Sequence, residues 1–259
     1  MAATMPNGAP AWVDSVSTDF RRDRDFYTGL FGWSAVGFGA EVEYYVDFHL
    51  GDTGGSGRAI AGLVGASPAF LPGVPSRWTV YFRVAECADA VARAIGLGAT
   101  VVMPASPVGE DLVYALLEDP AGFHFGLFEI RSDGAGLQAS GVRDAPVWYT
   151  FAAADLTGPL DCYRRLLGWT ISGGEDADEP LAAASISAPG ASAPFAGVSS
   201  EEAPVGWTVF YGVDSVEATT ARAVALGGAI VKGPYESAGR NLAEIAAPSG
   251  ARFGVAAKI

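Results

Sequence analysis

The chain has 259 residues, half of them hydrophobic and 17% charged, and its formal net charge is −13 at pH 7. Its length is sufficient for two hydrophobic cores, and its composition is that of a folded globular protein rather than a disordered chain. The acidic excess argues against nucleic acid as a partner, since phosphates are bound by clusters of lysine and arginine, and it would also repel anionic membrane surfaces.

Apolar periodicity predicts the secondary structure of the first half. In chain order we expect a tail over 1–8, a strand over 13–16, a helix over about 20–31, strands over 43–50 and 58–64 joined by a glycine-rich hairpin turn over 51–57, a strand over 78–84, a helix over 88–95, and strands over 100–103, 112–117 and 123–130. Gly32 should end the first helix, and Ala88, Val91 and Ile95 should face one way on the second.

The second half repeats the first at an offset of 136 residues (146 minus 10), beginning with Pro10 and Pro146. The same offset relates Trp12 to Trp148, Asp19 to Asp155, Tyr27 to Tyr163, Gly32 to Gly168 and Trp33 to Trp169. A repeat of this size corresponds to a complete domain rather than to a solenoid unit. It predicts strands over 147–153 and 207–213, helices over 158–167 and 216–225, an acid-rich solvent loop over 173–180, and further strands to 255.

Two domains, over 9–131 and 145–259, are therefore expected, joined by a flexible linker over 132–144. Each should be an α+β domain made of two strand–helix–three-strand (βαβββ) units that form one curved sheet with the helices outside. The sequence contains no apolar run long enough for a membrane span and no basic, apolar export signal. The lone cysteines Cys87 and Cys162 suit reduced core positions, so we expect a cytoplasmic protein.

Several short motifs occur in a fixed order along these units. Asp19 is followed by Phe26-Tyr27, by Leu-Phe-Gly-Trp over 30–33, and later by Asp119-Pro120-x-Gly122. This order resembles the vicinal oxygen chelate superfamily, which includes glyoxalase I, bleomycin-resistance proteins and extradiol dioxygenases. The resemblance covers nearly the whole chain, twice over. Pro-x-Trp at 10–12 and Trp-Thr-Val-Tyr-Phe at 78–82 are similar to two-domain members from antibiotic-producing actinobacteria.

The resemblance implies a divalent metal held by His, Gln or Glu from the first and last strands of each unit. The corresponding positions here are Trp12 and Gly62, Thr79 (or Trp78) and Gly126, Trp148 and Gly197, and Thr208 (or Trp207) and Gly254. None is a usual ligand, because only threonine among them has a side-chain oxygen to donate. We therefore expect no metal and no other cofactor; a replacement cluster of Asp14, Asp47 and His49 remains an alternative.

Tryptophan beside glycine at these positions suits either of two arrangements. The aromatic face and the glycine floor could form a slot for a flat apolar molecule, or the tryptophans could simply fill the core. Strand alternation places further residues on the same inward faces. The predicted ligand-binding residues are Trp12, Tyr45, Asp47, His49, Gly62, Thr79, Tyr81, Gly126 and Phe128 in the first domain, and Trp148, Thr150, Gly197, Phe210, Arg252 and Gly254 in the second.

Ionisable groups are concentrated in the first domain. Asp14 follows Trp12 by two residues and His124 precedes Gly126 by two, so both should face the first pocket. An aspartate and a histidine in an apolar cavity could act as acid and base, and they are the predicted catalytic pair. Structural roles, as an edge histidine and a turn aspartate, remain alternatives.

Two hypotheses for function follow. The first is a metal-independent protein that binds a flat hydrophobic aromatic polyketide for sequestration, self-resistance or presentation to a partner enzyme. The second is a metal-independent tailoring enzyme, such as a cyclase, isomerase, lyase or oxygenase accessory. A third arrangement, with a second domain that only scaffolds the first, also remains open. The expected partners are an aromatic small molecule and either a biosynthetic enzyme or a second copy of the chain.

Overall fold

A computed structural model of the chain describes residues 5–37, 44–51, 57–66, 73–173, 184–201, 206–237 and 239–258. It contains two eight-stranded mixed, curved sheets and four helices. The hairpin tip over 52–56 and the acid-rich loop over 174–180, for which the sequence made predictions, lie outside the described residues. None of the described helices is long and apolar enough to cross a membrane.

The first half forms the first sheet, with strand order β2-β3-β4-β1-β5-β8-β7-β6. Its elements are β1 Pro10–Ser17, α1 Phe20–Phe31, β2 Ser34–Gly37, β3 Tyr45–Leu50, β4 Arg58–Gly65, β5 Arg77–Arg83, α2 Cys87–Gly96, β6 Thr100–Val108, β7 Leu112–Glu118 and β8 His124–Ile130. Strand β1 pairs in parallel with β4, and β5 pairs in parallel with β8. Helix α2 packs on β6, β7 and β8.

The second half repeats this arrangement in strand order β10-β11-β12-β9-β13-β16-β15-β14. Its elements are β9 Pro146–Ala153, α3 Thr157–Leu167, β10 Thr170–Ser172, β11 Ser185–Ser187, β12 Ala196–Ser200, β13 Gly206–Gly212, α4 Val216–Ala225, β14 Ala229–Ser237, β15 Arg240–Ala246 and β16 Arg252–Lys258. The expected tandem α+β architecture of paired βαβββ units is therefore confirmed.

The helices show where the sequence pattern was sufficient to predict the structure and where it was not. Helices α1 and α4 have the predicted bounds, and Gly32 ends α1 in the left-handed conformation at φ 72°. The predicted face of α2 is wrong: Cys87, Ala90 and Ala94 are buried, whereas Ile95 is exposed. Small residues form the packed face there, so hydrophobicity alone selected the wrong stripe.

The polypeptide forms two compact units that do not coincide with the halves of the repeat. Unit 1 contains Met1–Trp12, Val80–Gly136 and Tyr149–Trp207; unit 2 contains Val13–Thr79, Leu137–Trp148 and Thr208–Ile259. Each of these compact units, called unit 1 and unit 2 below, thus combines most of one βαβββ repeat from the first half with most of one βαβββ repeat from the second.

The core of unit 2 is an aromatic cluster around Tyr27. The Trp78 indole Nε1 donates a 2.9 Å hydrogen bond to the Tyr27 hydroxyl, and Trp33 stacks on the Tyr27 ring. Phe253 from the second half contacts the same ring at a centroid distance of 5.5 Å. Burial raises the Tyr27 pKa well above its ordinary value, so this phenol stays neutral and serves as a structural hydrogen-bonding group.

Unit 1 has an equivalent core around Tyr163. Trp207 Nε1 donates to the Tyr163 hydroxyl at 3.0 Å, and Trp169 stacks on its ring. The Tyr163 hydroxyl in turn donates to Asp119 at 3.0 Å. The Asp119 carboxylate also accepts from two backbone amides of its own turn, at Ala121 and Phe123. The Asp-Pro-x-Gly motif therefore caps an aromatic core.

The tail and the linker are more ordered than expected. Gly8 is buried, and its amide donates to the carbonyl of Arg83 at 2.8 Å, so a loose tail is wrong at this residue. In the linker, the Gln138 amide donates to Ala59, and the amide of Ala59 donates back to the Gln138 side chain. A flexible linker is likewise wrong at Gln138, because backbone groups of the strand hold it in place.

We expect Tyr163→Phe to lower the free energy of unfolding by about 1–3 kcal/mol, because it leaves the Trp207 indole and Asp119 without their buried partner. Urea unfolding followed by circular dichroism measures the change. The matched control is Tyr44→Phe at an exposed tyrosine, which should change stability by less than about 0.5 kcal/mol. Equal effects of the two substitutions would contradict the assigned role of Tyr163.

Candidate functional site

The four glycines at the expected last-strand positions each lie beside a different kind of side chain. The register pairs Gly62 with Asp14, Gly126 with Tyr81, Gly197 with Thr150, and Gly254 with Phe210. In each case the neighbour is two residues beyond the position that the resemblance implied, which was Trp12, Thr79, Trp148 or Thr208. Asp14 is therefore the one carboxylate among these four neighbours.

Two of the glycines make room for an aromatic ring of the adjacent strand. A Cβ built on Gly126 would overlap the Tyr81 ring, and a Cβ built on Gly254 would overlap the Phe210 ring. Neither glycine has a positive φ, so the close approach of the ring is the reason for glycine here. The space that a metal ligand would need at these two positions is occupied by the ring itself.

In unit 1 three of the residues predicted to line the first pocket form a buried aromatic cluster. Trp12 stacks on Phe128 at a centroid distance of 6.4 Å, and Tyr81 contacts Phe128 edge-on at 6.2 Å. Tyr114, which the sequence did not single out, contacts Tyr81 at 6.2 Å. Trp12, Tyr81 and Phe128 are at most 7% exposed, so these rings are packed core side chains in the structure.

The second half contains an equivalent apolar cluster in unit 2. Trp148 packs with Phe210, Leu242 and Ala256, all buried. The guanidinium of Arg240 lies over the Trp148 ring, 4.0 Å from its centroid. Partial burial lowers the pKa of this guanidinium from its ordinary value, because desolvation disfavours the charged form.

Gly62 in unit 2 lies beside polar side chains instead of a ring face. Asp14 and Asp47 flank it on neighbouring strands, and a Cβ built on Gly62 would lie 2.5 Å from the Tyr45 hydroxyl. The Tyr45 hydroxyl hydrogen-bonds to Asp47. Burial raises the Asp47 pKa from 3.8 to about 6, and this hydrogen bond and the charge of His49 only partly oppose it. The structure thus brings predicted residues Asp14, Tyr45, Asp47 and Gly62 together.

The two histidines have local partners. His49 Nδ1 lies 2.8 Å from the Gly57 carbonyl at the base of the hairpin. His124, at the start of β8, lies 3.4 Å from Glu118 of the paired strand and keeps a quarter of its side chain exposed. The predicted pair is divided between the units: Asp14 belongs to unit 2 and His124 to unit 1.

A buried ion pair in the second half escaped the sequence analysis. Arg252, predicted as a ligand-binding residue, donates from Nε to Glu244 at 2.6 Å, and Tyr235 donates its hydroxyl to the same carboxylate at 3.1 Å. Glu244 is buried and lies opposite Gly254 in the register. The sequence feature that could have indicated this pair is Glu244 itself, an acidic residue that alternates with the apolar Leu242 and Ala246 along one strand. Its first-half counterpart, opposite Gly126, is Leu116.

The remaining predicted residues have simpler environments. Thr79 is buried beside Trp78, whose indole points to the Tyr27 core, so Thr79 faces the opposite side of β5. Thr150 is half-buried next to Gly197. Both threonines are placed as strand alternation predicts.

The chemistry of these positions does not fit the metal that the fold family uses. Aromatic rings occupy the space over Gly126 and Gly254, and the Tyr45 hydroxyl occupies the space over Gly62. Among the residues that the structure describes, no group of three or more His, Cys, Asp or Glu side chains could hold a metal ion. The suggested cluster of Asp14, Asp47 and His49 is therefore not assembled as a metal site.

Substitution of the glycines tests the ring contacts. We expect Gly126→Ala to destabilise the fold by about 1–3 kcal/mol, since the new methyl group would displace the Tyr81 ring. The double variant Gly126→Ala/Tyr81→Ala should add less than the sum of the two single changes. Gly158→Ala is the control, because it lies in α3 with nothing within 4 Å, and should be neutral or stabilising. Urea unfolding measures all four; an unaffected Gly126→Ala would refute the contact.

The raised pKa of Asp47 predicts a pH dependence of stability. The folded protein binds this proton more tightly than the unfolded chain, so the free energy of unfolding contributed by Asp47 falls as pH rises from about 4 to 6. The total loss is about 3 kcal/mol for a shift from 3.8 to about 6. Asp47→Asn should remove this component. As pH rises from about 4 to 7, the variant should therefore become more stable relative to the wild type.

Unfolding curves in urea at several pH values measure that difference. Asp89 is exposed, so Asp89→Asn is the control. Its free energy of unfolding should change with pH in the same way as that of the wild type. A difference between Asp47→Asn and wild type that stays constant from pH 4 to 7 would contradict the shifted pKa.

Comparison with known proteins agrees with the fold. A Glyoxalase-like domain family matches residues 11–128. The chain is 29% identical to the anthracycline biosynthesis protein DnrV of Streptomyces peucetius, over 96% of this chain and 92% of that protein. It is 30% identical to CFP32 of Mycobacterium tuberculosis, a protein named as a glyoxylase, over 96% of this chain and 94% of that protein.

Two solved structures share the fold over nearly the whole chain. The 2,3-dioxygenase LapB from Pseudomonas sp. KL28 superposes with a TM-score of 0.67 at 14% identity, covering 98% of this chain and 93% of that one. The Mn(II)-bound glyoxalase from Novosphingobium aromaticivorans gives 0.66 at 16% identity, with 98% and 83% covered. These two structures show the fold; the 30% identity to CFP32 over nearly the full length of both chains, with the Glyoxalase-like domain match, shows that the chain belongs to the glyoxalase-like proteins.

Proposed function

We propose that this protein acts in natural product metabolism by binding a flat, hydrophobic molecule of aromatic polyketide type without a metal ion. It would sequester the molecule, for self-resistance, or present it to a partner biosynthetic enzyme. The observation that carries the proposal is the similarity to DnrV over nearly the full length of both chains. That protein is named for anthracycline biosynthesis, and anthracyclines are flat polycyclic aromatic compounds.

The chemistry of the first-half residues supports the same class of ligand. The last-strand metal-ligand positions are glycines, and indole, phenol and phenyl rings of Trp12, Tyr81 and Phe128 are grouped in unit 1. Stacking on such rings contributes about 0.5–1.5 kcal/mol per pair beyond area burial. The charge of −13 would favour a cationic ligand by long-range attraction.

Binding at these rings requires a rearrangement. Trp12 and Phe128 are nearly fully buried, and Gly136 of the linker lies against Phe128 and the carbonyl of Ala11. A ligand that stacks on the same face of Trp12 as Phe128 must displace the Phe128 ring or this part of the linker. The association rate should therefore fall below the ordinary range of about 10⁵–10⁷ M⁻¹s⁻¹.

Titration with an anthracycline and with its aglycone tests the proposal, using quenching of tryptophan fluorescence and calorimetry. We expect binding that is unchanged by a chelator, and a loss of at least about tenfold in affinity, or ~1.4 kcal/mol, in Trp12→Ala. Tyr44→Ala removes an exposed ring of the same chain and should leave affinity unchanged. Dissociation constants above about 1 mM for both compounds would refute the proposal.

The alternative is a metal-independent acid–base enzyme acting on the same class of molecule. One observation favours it: Asp47 has a pKa of about 6, and Asp47 and Asp14 are the register partners of Gly62 on the two adjacent strands. The Tyr45 hydroxyl lies beside the same glycine. A carboxyl group poised near neutrality can both donate and accept a proton. This arrangement makes Asp14 and Asp47, rather than Asp14 and His124, the acid–base candidates. Turnover detected by mass spectrometry and lost in Asp47→Asn, with ligand affinity retained, would favour the enzyme.

A further inference from the structure

The segments that lead into the first strand of each half have the same unusual backbone. Gly8 precedes β1 and Asp144 precedes β9, and they are related by the repeat offset of 136 residues (144 minus 8). Both adopt the left-handed conformation, at φ 77° for Gly8 and 57° for Asp144. Asp144 is the only residue other than glycine with a positive φ in the part of the chain that the structure describes. Such a conformation costs about 1–3 kcal/mol and persists only where surrounding contacts hold it.

The backbone hydrogen bonds of the two lead-in segments, residues 8–9 and 144–145, are also equivalent. In unit 1 the Gly8 amide donates to Arg83 at 2.8 Å, and the Arg83 amide donates back to Ala9 at 2.9 Å. In unit 2 the Asp144 amide donates to Gly212 at 2.8 Å, and the Gly212 amide donates back to Ala145 at 3.0 Å. Each segment is thus fixed to the strand beside it.

In each unit a tryptophan of one half donates a hydrogen bond to the lead-in segment of the other half. In unit 1 Trp169 of the second half donates its Nε1 hydrogen to the Gly8 carbonyl at 2.7 Å. In unit 2 Trp33 of the first half donates Nε1 to the Asp144 carbonyl, also at 2.7 Å. Both indoles are buried, so the loss of either acceptor would leave an unsatisfied donor at a cost of about 1–3 kcal/mol.

The packing around Gly8 shows how closely this contact is fitted. A Cβ at Gly8 would lie 2.6 Å from the Leu167 carbonyl oxygen and 3.0 Å from Trp169 Nε1. A larger residue would therefore have to separate the segment from the indole. The left-handed backbone and the tryptophan contact depend on one another.

We infer that each tryptophan positions the first strand of the opposite half: Trp169 sets β1, and Trp33 sets β9. Strand β1 carries Trp12, four residues after Gly8, and strand β9 carries Trp148, four residues after Asp144. Trp33 and Trp169 are thus positioning residues for aromatic side chains of the proposed ligand site. The inference depends on the proposed function only in giving Trp12 and Trp148 a ligand.

Hydrogen exchange on the full-length, ligand-free protein tests this reciprocal arrangement. Phenylalanine at either position keeps a ring but removes the indole donor. In Trp169→Phe we expect exchange at the amides of Gly8 and Arg83 to accelerate about tenfold or more, while Asp144 and Gly212 keep their protection. In Trp33→Phe we expect the converse. Mass spectrometry of overlapping peptides reads out both segments in one experiment.

Acceleration of both segments in each variant, or of the segment in the tryptophan's own half, would overturn the inference. If Trp33→Phe fails to fold, Asp144→Val and Asp144→Asn provide the same test, because asparagine tolerates the left-handed conformation and a β-branched residue does not. Only Asp144→Val should then loosen the Asp144 segment. Cross-half exchange patterns without anthracycline binding would refute the proposed function alone.

Discussion

A hydrogen bond between a tryptophan indole and a buried tyrosine hydroxyl lies at the centre of each unit. Neither group can be hydrated there, so the indole of Trp78 satisfies Tyr27 and that of Trp207 satisfies Tyr163. Each pair joins a helix to a strand within one half, and each is packed by rings from the other half, as with Phe253 on Tyr27 and Phe82 on Tyr163. The most recognisable motif residues of the repeat therefore maintain the core and leave the other face of the sheets free to diverge.

That other face has diverged strongly between the halves. Beside its glycine the first half has an aspartate or a tyrosine, whereas the second has a threonine or a phenylalanine. Glu244 and Arg252 form a buried ion pair where the first half has Leu116 and His124. A partly buried pair of this kind adds little net stability, so its main effect is to make this face of the second half more polar than the corresponding face of the first.

The sequence was sufficient for the fold because repeat, periodicity and glycine stops agreed, as at Phe20–Phe31 and Gly32. It was less informative at Ser34–Gly37 and Thr170–Ser172, strands too short to show alternation. Inward-facing residues such as Asp14, Asp47 and Tyr45 followed from alternation along single strands. Their mutual placement did not, because it depends on the register between β1, β4 and β3, which no local pattern encodes. The Glu244–Arg252 pair was missed for the same reason.

Because each compact unit draws on both halves, the route by which such a gene can change is constrained. A single unit cannot be inherited as one continuous stretch, so recombination at the linker would pair a first half from one lineage with a second half from another. The rings around Tyr27 and Tyr163 would then meet foreign partners in both cores at once. A substitution in either half therefore has to be compatible with rings contributed by the other half.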